Sequence, residues 1–382
     1  MATAFARFAL SLSLTAFLPL GLGCTNGMPE AEALPSSELP AHVLYGFAVE
    51  GEAKAEALPP LGRDMQLAGD PAHDRFAVSD GRRLFVSEGE LLRELPRSYA
   101  SEDQIEAMAM DAAGTLWLLL ADNRLQQVDT KDQLHDAGPL PLRASSLHAG
   151  GGYLVILGEA LEAHPLPPAP AQLSEDPDEE VWFDEYGGMA VSRDGQSWEL
   201  RRRPDDGSEL DDLAIDAKGR VWLMDGDERS CGGGEQERYS ARLDRPGWRM
   251  MSWDYDYPSS RFMAPGGWTY VEGYGEQCGE DMLCGVSPKG AIHELTQLPA
   301  THYDLIQQGG QMMLISSGGL HRLEARGHER IGEGLPQLRH EWPSASALSG
   351  GRALVVLGDE LFVSLRADEG QGWRSLALAD TP

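Results

Sequence analysis

The densest collection of groups able to do chemistry lies between residues 225 and 284. Five carboxylates, Asp225, Asp227, Glu228, Asp254 and Asp256, are interleaved there with Tyr255, Tyr257, Phe262 and Tyr274, and with Cys231, Cys278 and Cys284. Aromatic faces beside carboxylates suit sugar rings, cations or a basic peptide. The plainer alternative is that the aromatics pack oversized loops onto a scaffold. Asp225-Gly-Asp227 and Asp254-Tyr-Asp256 are also oxygen-rich pairs of a kind calcium accepts, although neither keeps an EF-hand or RTX spacing. A Cys278–Cys284 bridge would close a short loop and a Cys231–Cys278 bridge would tie neighbouring units; spacing does not choose between them. No histidine lies near either cysteine loop, which argues against zinc.

Elsewhere the chain lacks the motifs of common catalysts. The ten histidines form no H-E-x-x-H, and no G-x-S-x-G, G-x-x-x-x-G-K-[ST] or G-x-G-x-x-G is present. The expectation is a chain with no catalytic residues, no resident metal and no cofactor, calcium being the one ion the loops could take.

The elements that must hold these loops are written as repeats. "AMDAAGTLWL" (109–118) returns as "AIDAKGRVWL" (214–223). In each, an apolar pair leads through Asp and Gly into a strand that contains Trp. The Asp bonds backbone amides ahead of it and the Gly accepts a left-handed conformation, so each copy predicts a β-hairpin. Asp111, Gly114, Asp216 and Gly219 are then turn residues, and Trp117 and Trp222 pack between units. Looser copies are read at 75–89 (turn at Asp80-Gly81), 146–161, 181–192, 264–273, 305–323 and 347–365, giving eight hairpins. Gly219–Cys231 aligns without a gap on Gly266–Cys278 at an offset of 47.

A second element, "SRDGQSW" (192–198), has degenerate relatives at 240–248 and 364–373. It resembles the Asp-box (BNR-type) repeat of sialidase-like propellers, in which Asp194, Gly195 and Trp198 would lock a hairpin between outer strands. The hairpins resemble NHL and two-component-regulator propeller repeats. These resemblances imply fold and no activity: sialidases need an arginine triad, whereas Arg201, Arg202 and Arg203 are consecutive and alternate across a strand. Repeats of 30–50 residues made of strand and turn predict an all-β fold, a single β-propeller of seven or eight four-stranded blades over residues 42–382. Two stacked β-sandwiches are the runner-up. "VLYGFAVE" (43–50) is expected to close the ring with the C-terminal blade. Alternation of strands puts the loops at 225–239, 254–267 and 273–281 on one face.

The N-terminus predicts export. Arg7 precedes an apolar run from Phe8 to Leu22, shorter than a membrane span, and residues 1–23 read as a signal peptide. Gly23-Cys24 resembles a bacterial lipoprotein site, making Cys24 the lipidated residue; simple secretion stays open, because Gly21 and Gly23 also suit ordinary signal peptidase. Residues 24–41 form an acidic, Pro-containing flexible linker that reaches roughly 20–25 Å. With 61 acidic and 31 basic residues the formal charge is −30, and loss of Arg7 with the signal makes it −31. Such a surface repels nucleic acid.

The whole reads as an envelope-anchored, non-catalytic binding or scaffolding propeller at the outer membrane of a Gram-negative bacterium. The alternative is a glycan-binding or glycan-cleaving propeller, with a calcium-dependent hydrolase behind it. The expected partners are the membrane, through the N-terminal lipid, and an envelope protein or glycan. By itself the chain is expected to be a monomer.

Overall fold

In this computed structural model the described residues are 65–376 without 89–90, 98–102, 170–182, 205–212, 225–233, 246, 256–260, 265–267, 273–277, 280, 288, 290, 299–302, 325, 359 and 366–371. They form seven antiparallel sheets, each of four consecutive strands. Blade 1 holds β1–β4 (Gln66–Gly69, Phe76–Ser79, Leu84–Glu88, Leu91–Leu95), and blade 2 holds β5–β8 (Ile105–Met110, Leu116–Leu120, Arg124–Val128, Leu134–Pro139). Blade 3 holds β9–β12 (Leu142–Gly150, Tyr153–Ala160, Phe183–Ser192, Glu199–Pro204). Blade 4 holds β13–β16 (Leu213–Ile215, Arg220–Met224, Gly234–Arg242, Trp248–Tyr255). Blade 5 holds β17–β20 (Arg261–Ala264, Trp268–Glu272, Met282–Val286, Ile292–Gln297). Blade 6 holds β21–β24 (Tyr303–Gln308, Gln311–Ser316, Leu320–Glu324, Gly327–Gly332). Blade 7 holds β25–β28 (Ala345–Ser349, Arg352–Leu357, Glu360–Ser364, Trp373–Ser375). The result is a seven-bladed β-propeller ring.

Burial follows position in the blade. Second strands lie between the neighbouring blades on both sides, and the most apolar of them show it: "LWLLL" in β6 and "RALVVL" in β26, apolar after Arg352, are buried at every residue. The outermost strand β8, "LHDAGP", has no buried residue. The apolar clusters accordingly sit between blades. Trp117, Leu119 and Leu125 of blade 2 pack with Leu142, Leu154 and Ile156 of blade 3. Phe76 and Phe85 of blade 1 pack with Leu354 and Val363 of blade 7. Each such side chain contributes about 1.5–3 kcal/mol on burial.

Among the described residues, blades 7 and 1 close the ring without exchanging a strand. Gly350 N–H donates to the Asp70 carbonyl at 2.9 Å and Ser349 Oγ to the Arg75 carbonyl at 3.0 Å. Arg352 pairs with Asp74. Gln308 of blade 6 reaches across blade 7: its Oε1 accepts from Leu348 N–H at 2.7 Å and its Nε2 donates to the Gly69 carbonyl of blade 1.

The blades number seven, one of the two numbers that the repeats predict. Other sequence expectations are corrected by this arrangement. Residues 183–192 form one strand, β11, and not a hairpin, because Gly187 and Gly188 stay in the ladder opposite Glu159 and Gly158. The Asp80-Gly81 turn joins the second and third strands of blade 1, so it faces away from the other hairpin turns. The four described strands of the C-terminal blade come from residues 345–375, and the segment 43–50, expected to supply a strand there, lies outside the described residues. The candidate stretches 192–198, 240–248 and 364–373 occupy one position, between the third and fourth strands of blades 3, 4 and 7.

Candidate functional site

Strand alternation divides the connections between two faces. Turns from first to second strands, including those at Asp111 and Asp216, lie on one face. Second-to-third turns and the crossings between blades leave from the other. Met224, Tyr255 and Glu272 end their strands on that second face, so the chain between 225 and 281 opens there repeatedly. Asp254 and Tyr255 close β16 and Phe262 is the second residue of β17; their side chains, like all of Asp225, Asp227, Glu228, Cys231, Asp256, Tyr257 and Tyr274, lie outside the described residues. Cys278 and Cys284 form a disulfide with Cα atoms 6.2 Å apart, so Cys278 is not joined to Cys231. Among the described residues no three His, Cys, Asp or Glu side chains come together in a way that could hold a metal ion.

The same face carries a feature that sequence reading missed. The crossing from blade 6 to blade 7 runs through a short 3-10 turn, Pro336–Arg339, and then Glu341-Trp342-Pro343. Its base is fixed. Leu335 and Leu338 are wholly buried, Leu335 N–H donates to the Ser316 carbonyl at 2.9 Å, and Trp373 Nε1 donates to the Glu333 carbonyl at 2.9 Å. Its tip is exposed: Trp342 shows 59% of its surface, whereas Trp117, Trp222, Trp248 and Trp373 are buried and Trp198 and Trp268 half-buried. The Trp342 ring centroid lies 6.4 Å from that of Tyr303, with the planes inclined at 53°. Tyr303 is the first residue of β21, an innermost strand, so the pair stands close to the axis. No periodic signal marks Trp342; an aromatic residue among polar ones just ahead of an inner strand was the only clue.

At the axis, the innermost strands line a cavity of about 200 Å³. Its polar lining is His148 of β9, Gln307 and Gln308 of β21 and Ser346 of β25, among Leu67, Met108 and other apolar groups. The neighbouring carboxyl of Asp304 accepts from Leu305 N–H at 2.9 Å and from Ser346 Oγ. Burial pushes Asp304 up to about 6, against the opposing pull of those two donors. Burial likewise pushes His148 down to about 4, so its imidazole is neutral at pH 7. Both side chains are half-buried.

Two serine pairs result, His148 Nε2 with Ser146 Oγ at 3.1 Å and Asp304 with Ser346. Neither makes an effective nucleophile. A base at about 4 takes a serine proton poorly, and no carboxylate among the described partners of His148 orients it. Asp304 and Ser346 are each other's hydrogen-bond partners across the seam of blades 6 and 7, which is a structural use.

The remaining sequence candidates are turn residues by position. Asp194 Oδ1 accepts from Gln196 and Ser197 N–H at 2.9 and 2.7 Å, which holds Asp194 down to about 2. Gly195 N–H donates to Ser192 Oγ, Gly195 has φ 71°, and Trp198 is half-buried against the apolar cluster of blades 2 and 3. Arg201 lies on the outermost strand of blade 3. Its guanidinium donates to the Arg242 and Leu243 carbonyls of blade 4 at 2.7 and 2.9 Å, away from the axis where a sugar acid would need it.

No protein-family model matches the chain, and no curated protein matches it. Solved structures similar to it include virginiamycin B lyase from Staphylococcus aureus with quinupristin, at 11% identity over 81% of this chain and 98% of that one, with a TM-score of 0.47. YCF48 bound to D1 peptide is similar at 11% identity over 86% and 98%, with a TM-score of 0.49. The WD40 propeller domain of Doa1 is similar at 11% identity over 83% and 98%, with a TM-score of 0.46.

Proposed function

We propose that the chain is a non-catalytic binding propeller, lipidated at Cys24, carried on the 25–41 linker at the outer membrane of a Gram-negative cell, and that its partner docks on the face where the blade crossings emerge. Trp342 is the observation that carries this reading. It is a large ring left 59% exposed beside Tyr303 on a loop with a fixed base, tryptophan is enriched among the anchors of interfaces, and loops on a rigid scaffold are where binding groups concentrate. The polar groups at the axis support the same reading, since they hydrogen-bond one another and leave no base poised against a nucleophile. The 192–198 turn serves here as a lock of the Asp-box kind, holding outer strands together.

The test is affinity capture of the tagged full-length protein from native membranes in mild detergent, with mass spectrometry of what accompanies it. A stoichiometric envelope partner, lost when 225–239 and 254–267 are shortened, is the expected result. A protein that comes out alone, but binds in a glycan array with or without calcium, would replace this reading with the glycan one.

A further inference from the structure

We propose that Trp342 anchors a docking surface for a basic polypeptide segment, one that lays a lysine or arginine side chain against the exposed indole. The inference rests on the binding reading above and names its partner class. Three observations meet at this residue. The ring is 59% exposed on a loop whose base is pinned by Leu335, Leu338 and the Trp373–Glu333 bond, so presenting it costs little ordering on binding. On the same face are the exposed side chains of Glu333 and Glu341, both in this crossing, and of Glu360, the first residue of β27; Glu341 reaches over the turn at Gly358. Arg339 and His340 are the basic groups on the same loop. The chain as a whole carries −30, which draws a basic partner from a distance and repels a second copy of itself.

The aromatic geometry distinguishes between ligands. A sugar ring is best held on one flat platform, but Tyr303 is inclined at 53° to Trp342 and does not extend its plane. A cation needs only one open ring face, and a long basic side chain also lays its methylene stem along the indole. The site therefore fits an extended Lys- or Arg-bearing segment, with Trp342 as its hot spot and the glutamates as its rim.

The test uses the full-length protein in detergent and a fluorescent Lys-Gly-Ser peptide, with the Nε-acetylated peptide as control. Anisotropy at physiological salt is expected to show binding of the first peptide only, a blue shift of Trp342 emission, and roughly tenfold weakening in Trp342→Ala. An unchanged melting temperature in that variant shows that folding is intact. Equal binding by Trp342→Ala would reduce the attraction to diffuse charge and overturn the proposal, as would a Trp342 response to chito-oligosaccharide in place of the peptide. If a captured envelope partner persists in Trp342→Ala but is lost with the shortened loops, this inference fails while the binding reading stands.

Discussion

The two copies of the ten-letter repeat have the same turn and different side-chain wiring. At 109–118, Asp111 Oδ1 accepts from Ala113 and Thr115 N–H, and its Oδ2 takes the Trp117 indole N–H at 3.0 Å. At 214–223, Asp216 Oδ1 accepts from Lys218 and Arg220 N–H in the same way. Its Oδ2, however, faces the Arg220 guanidinium at 3.8 Å, and the buried Trp222 Nε1 has no hydrogen-bond partner among the described residues. Arg220 stands over the Trp222 ring at 5.5 Å. One position differs to decisive effect: Thr115 leaves the carboxylate to the tryptophan, whereas Arg220 competes for it. The backbone turn is thus the conserved product of the ten letters, and the polar contact inside it is optional.

The largest test of that contrast is glycine. A Cβ at Gly219 would stand 2.5 Å from the Tyr153 ring, at φ 68°, whereas at Gly114 the nearest atom is 3.6 Å away, at φ 76°. Both alanine variants carry left-handed strain of about 1–2 kcal/mol, and only Gly219→Ala adds a collision, for about 3 kcal/mol or more in all. Urea denaturation should rank them in that order; equal losses would mean that the second turn shifts freely.

A third aspartate widens the comparison from turns to the axis. Asp304 sits at about 6 when folded, above its ordinary 3.8, so its contribution to stability is full below about 4 and is lost as pH rises through 6. Asp304→Asn should therefore raise stability by on the order of 1–2 kcal/mol at pH 8 and by nothing at pH 4. His148 acts in the opposite sense. With its folded value depressed to about 4, its contribution is present above 6.5 and lost as pH falls toward 4, and His148→Asn should flatten that acid limb. Melting temperatures over pH 4–8 read both; parallel curves for wild type and variants would refute the two shifts.

Next in size is the indole hydrogen. Trp117→Phe removes a bond and Trp222→Phe removes an orphaned donor, so the first should cost about 1 kcal/mol more than the second by thermal melting. The smallest effect is expected for Arg220→Thr, which copies the first repeat into the second. It should stabilise by at most about 1 kcal/mol, through a new Asp216–Trp222 bond. A loss instead would show that the arginine–indole contact is the more valuable one.

The same contrast explains what could be read from sequence. The D-x-x-G grammar and the apolar second strands reveal blades, because turn conformation and two-sided burial constrain residue type strongly. They do not reveal which turn of a blade is meant. Asp80-Gly81 uses similar letters at a second-to-third turn, and Gly187-Gly188 reads as a turn although it continues β11 through a bulge. Innermost strands carry little signature of their own, so Asp304 and His148 looked like scattered residues until the ring placed them at the axis. Trp342 was illegible for another reason: an exposed anchor obeys no burial period.

The manner of closure has a topological consequence. Six of the seven joints between blades are crossed by the chain itself, and the joint of blades 7 and 1 is crossed by none of the described residues. The ring is thus a split washer whose gap is clasped by Gln308, Gly350 and Arg352. Where the split falls is an accident of numbering. A permuted chain that joined residue 376 to residue 65 and began at another crossing would describe the same circle of blades, with the clasp turned into an ordinary joint and a different one left to open first under tension.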